Sequence, residues 1–390
     1  MELITRSPDL KQLYDDGYEI QIAHNHIVLH SVPYLNAKKE LAYAVLVSNI
    51  DLAGDVAQYG PSSNHQVYFA GDRPCGVDGT ELQAFGCTPG RQEILPGLWI
   101  DHAFSAKPEG NYRDYHHKMT AYIKKLRAPL IELGIEADAR TYRTVDSQND
   151  SPFHFPDTNS GRGGMTVINN RVTSQKVAIL GLGGTGSYVL DFLAKMPIAE
   201  IHMFDGDVLL SHNTFRAPGS PSIEQLREMI NKAVYHAETY SRMHKGIQPH
   251  DYHMTEARLS ELDPFNFVFI CMDSSPEQQK ITEYLLTRSI PFVNSGLNMR
   301  VHDSTLRGQV RTTLITPQHA EKLKEYIPPP PADPDKEVYE SNAQIAEMNA
   351  LNAVMAVIAW KRLYGIYDDL GHPDHSVFKI RNGDIFRYED

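Results

Sequence analysis

The sequence predicts an α/β protein in which a Rossmann-like, mainly parallel sheet follows an N-terminal α+β domain. Between residues 163 and 316, four short apolar runs are separated by helical patterns. This alternation is typical of parallel strands that are joined by right-handed crossovers. Residues 1–145 instead combine several short strand-like runs with one helix, which is an α+β pattern.

The first strand of the parallel sheet runs into a glycine-rich turn. This strand is predicted at Val177–Leu180, a helix follows the turn, and Asp205 closes the next strand about twenty residues further on. The glycines let the backbone approach a phosphate, and the N-terminus of the helix attracts its charge. A carboxylate at the end of a strand can hold ribose hydroxyls. The sequence therefore predicts nucleotide binding by the turn Gly181-Leu182-Gly183-Gly184-Thr185-Gly186.

The secondary structure of the rest of the chain is predicted from its apolar runs and from the glycine and proline residues that interrupt them. Further strands are expected at Ile201–Phe204, Phe267–Met272 and Phe292–Asn294. A proline loop at 327–336 precedes a helix at 342–363, and a hairpin around Asn382-Gly383 closes the chain. A helix over 112–133 is expected to break at Pro129. The polar segment 146–162 is predicted to be a linker or crossing segment between domains 1–145 and 163–390.

Composition excludes several classes of protein. A length of 390 residues favours two domains, and a formal net charge of −12 argues against a nucleic-acid binder. No apolar run approaches the length of a membrane span, and the first residues lack the pattern of a signal peptide. The three cysteines form no C-x-x-C pair, so we expect a protein of the reducing cytoplasm.

The residues after the strands do not fit a dinucleotide oxidoreductase. Nothing there supplies an acid or base for hydride transfer, and Gly184 follows Gly183 directly. An aspartate at a strand end can hold Mg²⁺ on phosphates, and cations can neutralise charge that develops at an attacked α-phosphate. An NAD-dependent oxidoreductase is therefore the less favoured alternative. The candidate polar residues are Asp205, Asp207, Asn213, Arg216, Lys232 and Asp273.

The stretch from Arg162 to Leu363 resembles the adenylation domain of the ThiF, MoeB and ubiquitin-activating enzyme family. The resemblance rests on G-x-G-G-x-G, D-x-D and N-x-x-R motifs, a lysine beyond the Asn, and an aspartate after the fourth strand. These motifs fall on Gly181–Gly186, Asp205/Asp207, Asn213/Arg216, Lys232 and Asp273. The resemblance implies a ThiF-type fold that uses MgATP to adenylate the C-terminal glycine of a ubiquitin-like or sulfur-carrier protein.

Roles for single residues also follow from the resemblance. Asp205 would bind ribose, with Asp207 beside it. Asn213, Arg216 and Lys232 would bind the phosphates, and Asp273 would hold Mg²⁺. The family is usually dimeric, so we expect a homodimer in which Arg162 reaches the partner's phosphates. The proline loop would lie over the incoming tail. The zinc cysteines of many members are missing, and no cysteine follows Asp273.

The N-terminal domain is expected to serve protein recognition or transfer. It resembles an extension found ahead of bacterial ThiF-type proteins near ubiquitin-like genes, and its fold could be similar to that of ubiquitin-conjugating enzymes, although a His-Pro-Asn turn is absent. Cys75 is a candidate reactive thiol, because it lies in a turn that is expected to be exposed and Arg73 would favour its thiolate. A second class of function remains open, namely a non-catalytic scaffold of the ThiF fold that binds a protein partner.

Overall fold

A computed structural model describes residues 2–145, 151–330, 343–371 and 374–387, apart from the side chain of Arg162. The chain divides into two compact units. Unit 1 comprises residues 1–151 and 155–170, and unit 2 comprises residues 152–154 and 171–390. Each unit has a sheet and a hydrophobic core of its own.

Unit 1 is an α+β structure around an antiparallel sheet. Its helices are α1 (Glu2–Arg6), α2 (Pro8–Asp15), α3 (Tyr115–Glu132), α4 (Thr158–Arg162) and α5 (Thr166–Asn169). Its strands are β1 (Ile20–Ala23), β2 (His26–Leu35), β3 (Leu41–Asn49), β4 (Leu52–Ala53), β5 (Val56–Ala57), β6 (Val67–Ala70), β7 (Gly86–Leu95) and β8 (Leu98–Ser105). The six-stranded sheet has the order β1-β2-β3-β6-β8-β7, and α3 packs on β2.

The break predicted at Pro129 is wrong, because α3 continues through this residue to Glu132. Proline removes one helical hydrogen bond, but here it does so in the last turn of the helix. Leu126 and Leu130, on either side of Pro129, are fully buried. Their packing offsets the lost hydrogen bond, since burying a leucine side chain stabilises by about 1.5–3 kcal/mol.

Unit 2 has a Rossmann-like sheet of eight strands in the order β11-β10-β9-β12-β13-β14-β15-β16. The strands are β9 (Lys176–Leu180), β10 (Glu200–Phe204), β11 (Ile247–His250), β12 (Phe267–Ile270), β13 (Phe292–His302), β14 (Thr305–Ile315), β15 (His375–Lys379) and β16 (Asp384–Arg387). The helices are α6 (Gly184–Leu193), α7 (Ser211–Thr214), α8 (Ile223–Arg227), α9 (Lys232–Tyr240), α10 (Pro276–Thr287), α11 (Ala320–Leu323) and α12 (Ala346–Leu363).

The first five strands of this order are parallel and the last three are added antiparallel. The predicted fold class is therefore confirmed. The chain order reverses between β9 and β12, which are neighbours in the sheet. Ligands of open α/β sheets bind at the carboxyl ends of the strands at such a switch point.

The two faces of the sheet are covered by different helices. Residues of α6, α9 and α12 pack on the face that carries Val177 and Ile179. Residues of α10 pack on the opposite face, which carries Ala178 and Leu180. The alternation along β9 follows from the two-residue period of a strand.

Local predictions in unit 2 are mostly confirmed. The four predicted strands and the final hairpin form, although the structure ends β12 at Ile270 and extends β13 to His302. The sequence did not predict β11 or β14. The proline loop is described only as far as Pro330, and the first residue predicted for the last helix, Asn342, lies outside the described residues. Among the helices described, none is both long and apolar enough to cross a bilayer.

Candidate active site

The glycine-rich turn is fixed by close backbone packing at the end of β9. Gly181 has φ +87°, and a Cβ on it would lie 3.0 Å from the carbonyl oxygen of Cys271. A Cβ on Gly186 would lie 1.8 Å from the carbonyl oxygen of Gly181. The turn lies directly against the segment that follows β12, and there is no room for a side chain at either glycine.

Gly184 and Thr185 are held by two buried asparagines of α12. A Cβ on Gly184 would lie 2.3 Å from Cγ of Asn349. The Thr185 hydroxyl donates to Asn349 Oδ1 (3.0 Å) and accepts from Asn352 Nδ2 (3.1 Å). Neither asparagine is among the site residues predicted from the sequence. The sequence pattern that could have indicated them is the i, i+3 spacing of two amides on an otherwise apolar helical face. In the structure both asparagines are 1% exposed.

Gly183 differs from its neighbours because it faces open space. A Cβ on this residue would meet nothing within 4 Å. Gly183 is the N-cap of α6, and no side chain of the described residues caps this end of the helix. An uncapped helix N-terminus offers N–H groups and partial positive charge to an anion. This is the place in the turn where a phosphate can approach.

Asp205 is 6% exposed and ties the turn to the end of β10. Its Oδ2 accepts from Leu182 N (2.6 Å), and its Oδ1 accepts from Asp207 N (2.9 Å). Each carboxylate oxygen has a second lone pair, so Asp205 retains capacity to accept a ribose hydroxyl. The predicted ribose role of Asp205 stays a prediction.

Lys232 lies against both aspartates of the D-x-D motif. Its Nζ is 2.7 Å from Asp207 Oδ2 and 3.8 Å from Asp205 Oδ1, and its side chain is 8% exposed. The hydrogen bond from Lys232 holds the pKa of Asp207 below its usual value. Asn231, which is not among the predicted site residues, fixes this geometry. It caps α9 through Ala233 N (2.7 Å) and donates to the Asp205 carbonyl (2.8 Å).

Asn213 and Arg216 occupy the short helix α7 and the turn after it. Asn213 is 5% exposed, and its Oδ1 accepts from Leu210 N (2.9 Å), so this side chain stabilises its own turn. Arg216 is half-buried, and its Nε is buried without a partner among the described residues. Burial lowers the pKa of Arg216, and the negative charge of Asp273 opposes that shift.

Asp273 is exposed three residues beyond the end of β12. The neighbouring Ser274 hydroxyl donates to the carbonyls of Pro328 (3.2 Å) and Pro329 (3.0 Å). The described start of the proline loop therefore lies beside Asp273. The described residues contain no group of three or more His, Cys, Asp or Glu that could hold a metal. A single exposed carboxylate is nevertheless what Mg²⁺ needs when phosphates and water supply its other ligands.

Comparison with known proteins identifies the family. Residues 162–380 match the ThiF family. The chain belongs to the ThiF family. Residues 8–158 match a domain of unknown function, DUF6791.

The ThiF-family chain is also similar in sequence to a curated protein. Ubiquitin-like modifier-activating enzyme 5 of Drosophila persimilis is 24% identical over 195 residues, which are 46% of this chain and 49% of that protein. This chain thus spans about half the length of that curated relative.

Two solved structures are similar at low identity. E. coli MccB with ATP is 16% identical, with 59% of this chain and 71% of that chain covered and a TM-score of 0.46. PaaA is 15% identical, with 79% and 98% covered and a TM-score of 0.47.

The structure corrects the prediction for Cys75. This residue is 4% exposed, not exposed, because its N–H donates to the Leu35 carbonyl and its backbone pairs with Glu81. Arg73 forms an ion pair with Glu81, so its charge is already compensated. Burial raises the pKa of Cys75. The expected exposure of Cys75 is therefore wrong and burial works against its thiolate, while a role for Cys75 in transfer stays a prediction.

Arg162 is a predicted site residue, and Cys271 lies next to the glycine-rich turn. The side chain of Arg162 lies outside the described part of the structure, so its role in the partner's site stays a prediction. Cys271 directly follows β12, and burial raises its pKa to about 12. The structure thus brings Asp205, Asp207 and Lys232 into contact and places Arg216 under the charge of Asp273.

Proposed function

We propose that this protein uses ATP to adenylate the C-terminal glycine of a ubiquitin-like or sulfur-carrier protein. Membership of the ThiF family supports an ATP-dependent adenylating enzyme. In the proposed step, a carboxylate oxygen of the glycine attacks the α-phosphorus of ATP. A new P–O bond forms, the bond between the α- and β-phosphates breaks, and pyrophosphate leaves.

The observation that best supports this function is the unpartnered guanidinium nitrogen of Arg216 near Asp273. A buried donor without an acceptor is costly, and a phosphate oxygen would satisfy it. Arg216 follows α7, and Asp273 follows β12 at the switch point of the sheet. A cation at this position stabilises negative charge that develops on the attacked phosphate.

The other residues have distinct proposed tasks. The turn 181–186 cradles the phosphates, with the open approach at Gly183. Asp205 accepts a ribose hydroxyl through its free lone pairs. Lys232 exchanges its contact with Asp207 for a phosphate oxygen, and Asn213 keeps the turn before Arg216 in place. These tasks follow from the contacts of each side chain together with the family resemblance.

Mg²⁺ is the implied metal, and Asp273 fits as its protein ligand. Asp273 is exposed, and the carboxylate chemistry suits a hard cation that retains waters and phosphate oxygens. When bound, Mg²⁺ would neutralise phosphate charge. Arg216 supplies positive charge on the protein side of the same site.

Pyrophosphate exchange tests this proposal directly. Purified protein, labelled pyrophosphate and ATP would be incubated with each of a set of ubiquitin-like and sulfur-carrier proteins that end in glycine. We expect label to enter ATP only with a cognate partner, and not with the same partner lacking its last glycine. Binding of NAD(H) would be measured in parallel. ATP binding without exchange for any partner would favour the non-catalytic scaffold, and tight NAD(H) binding would favour an oxidoreductase.

A homodimer is the proposed assembly. The family resemblance implies that Arg162 acts on the phosphates of the partner subunit, which would make each site composite. A monomeric protein would remove the composite site without removing the proposed adenylation.

A further inference from the structure

A guanidinium without an anionic partner lies on the sheet beside the proposed site. Arg311 is partly buried on β14, and its hydrogen bonds all go to neutral acceptors. Nη2 donates to Asn294 Oδ1 (2.6 Å), and Nη1 donates to Thr313 Oγ1 (2.9 Å) and to the Tyr326 carbonyl (3.3 Å). Among the described residues no carboxylate forms an ion pair with it. A cation that is partly removed from water usually has such a partner.

The surroundings of Arg311 add a second unsatisfied donor. Asn294 is fully buried, and its Nδ2 has no hydrogen-bond partner among the described residues. Its Oδ1 already accepts from Arg311, so Nδ2 is left for another acceptor. A guanidinium and an amide N–H side by side match the donors that a carboxylate takes.

The strand next to Arg311 has a glycine where a side chain would collide with this guanidinium. Gly296 is the cross-strand partner of Arg311, and a Cβ on Gly296 would lie 2.7 Å from Arg311 Nη2. The nearby His375 supplies no negative charge, and burial lowers its pKa to about 4, so it is neutral at pH 7. Burial lowers the pKa of Arg311 only to about 10, so the guanidinium keeps its charge.

The cluster lies within reach of the proposed adenylation site. Asn294 pairs with Ile270, the last residue of β12, three residues before Asp273. The segment from Tyr326 to Pro329 joins Arg311 to Ser274, because its carbonyls accept from both side chains. At about 3.5 Å per residue, this segment places the guanidinium within roughly 15 Å of Ser274.

We propose that Arg311 and Asn294 bind the carboxylate of an acidic side chain in the extended C-terminal tail of the substrate protein. This proposal rests on the proposed adenylation, because it assumes that the end of the tail is held near Asp273. An extended chain spans the separation in about three to five residues. The acidic residue is therefore expected at that distance before the C-terminal glycine, and it would select the partner.

Peptide probes test this proposal on the full-length chain. The probes are fluorescent ten-residue peptides of Ala and Ser that end in Gly-Gly and carry one Asp, moved from the third to the seventh position from the end. Matched probes carry Asn instead. Binding is measured by fluorescence anisotropy with a non-hydrolysable ATP analogue present. We expect Asp to bind about tenfold more tightly than Asn at one position, since a charge-assisted hydrogen bond is worth about that factor.

Three variants separate the proposed site from general charge effects. Arg311→Gln should abolish the preference for Asp. Asn294→Asp should also abolish the preference, because the new carboxylate would form an ion pair with the Arg311 guanidinium. This second variant keeps the test valid if Arg311→Gln does not fold. Arg307→Gln, on the same strand but exposed, should keep the preference.

The outcomes distinguish this inference from the proposed activity. Equal binding of Asp and Asn probes by wild type at every position would overturn the inference, as would a preference that survives in folded Arg311→Gln and Asn294→Asp. Pyrophosphate exchange is scored separately. Pyrophosphate exchange without a preference for acidic probes would support adenylation and refute the acidic-tail site. A preference for acidic probes without pyrophosphate exchange would support the acidic-tail site and refute adenylation.

Discussion

At the scale of single residues, the charged side chains of the site differ in how deeply they are buried. Lys232 is buried against two carboxylates, whereas Asp273 is exposed to solvent. Removing the lysine leaves Asp205 and Asp207 without their cation, which destabilises a buried site. Removing the aspartate changes a surface position, and such substitutions usually stay within about 0.5 kcal/mol. Substitution of the two residues should therefore have different effects on stability but similar effects on the adenylation reaction.

Substitution of either residue should stop pyrophosphate exchange. We expect Asp273→Ala and Lys232→Ala to lower the exchange rate about 10²-fold or more, because each removes a positioned charge. Only Lys232→Ala should also lower the unfolding temperature. Lys195→Ala, at an exposed lysine, is the control and should change neither quantity. Wild-type exchange by a folded variant would show that the substituted residue has been assigned the wrong role.

A second residue-scale feature lies in unit 1, where Lys118 is fully buried. Its Nζ donates to Ser48 Oγ (2.8 Å) and to the Asn64 carbonyl (2.7 Å). Burial lowers the pKa of Lys118 to about 7, from an unfolded value of about 10.4. Between these two values the unfolded chain binds more protons than the folded one, so stability rises with pH. Below pH 7 both states are protonated, and the cost of burying the charge is present in full.

Lys118→Met should remove this pH dependence. The unfolding temperature of wild type relative to the variant is expected to increase from pH 6 to pH 9, by the equivalent of up to about 1.4 kcal/mol per pH unit above pH 7. Lys124→Met, at an exposed lysine of the same helix, should show a constant difference from wild type. The measurement is thermal unfolding followed by circular dichroism at each pH. A flat difference between wild type and Lys118→Met would refute the lowered pKa.

At the scale of elements, the sequence predicted what local rules control. The run Val177–Leu180, the glycines after it and Asp205 form one continuous strand–turn–helix–strand unit, and β9, α6 and β10 follow that plan. In contrast, β11 contains Pro249, and the start of β14 lacks an apolar alternation, so neither has a clear strand signal.

Features that depend on distant parts of the chain were not predictable in this way. Cys75 is buried because Leu35, forty residues earlier, pairs with its backbone. Asn349 meets Thr185 across 164 residues, and Arg311 meets Asn294 across 17. Helical spacing can mark Asn349 as a polar residue on an apolar face, but it does not reveal the partner of that residue. Such partners are set only when the sheet order and the helix packing are fixed.

The glycine-rich turn allows a test at the element scale. Gly184→Ala should lower the free energy of unfolding by about 1–3 kcal/mol, because its methyl group would displace the buried Asn349 amide. Gly183→Ala should leave stability unchanged, since its methyl group enters open space, but it should weaken ATP binding. Chemical unfolding and titration with a fluorescent ATP analogue measure the two effects. Unchanged ATP affinity in Gly183→Ala would contradict a phosphate at this position.

At the scale of the whole molecule, the two units differ in their provision for a nucleotide. Unit 1 has no glycine-rich turn between a strand and a helix in its described part, and unit 2 has one at its switch point. The candidate thiol of unit 1, Cys75, is buried and burial raises its pKa. The proposed adenylation is therefore attributed to unit 2, and recognition of a protein partner by unit 1 stays a prediction.

Subunit mixing tests whether the proposed site is completed by a second copy. Arg162→Ala and Asp273→Ala should each abolish pyrophosphate exchange when pure. In an equal mixture of exchanging subunits, each heterodimer would contain one site with both residues intact, so up to about a quarter of wild-type activity should return, because half of randomly paired dimers are heterodimers with one working site of two. Subunit exchange would be established first with differently tagged chains. A mixture of Asp273→Ala with Lys232→Ala, whose residues are expected to belong to the same subunit's site, should not recover activity to a comparable degree. Absence of rescue despite proven exchange, or a monomer by sedimentation, would remove the composite site.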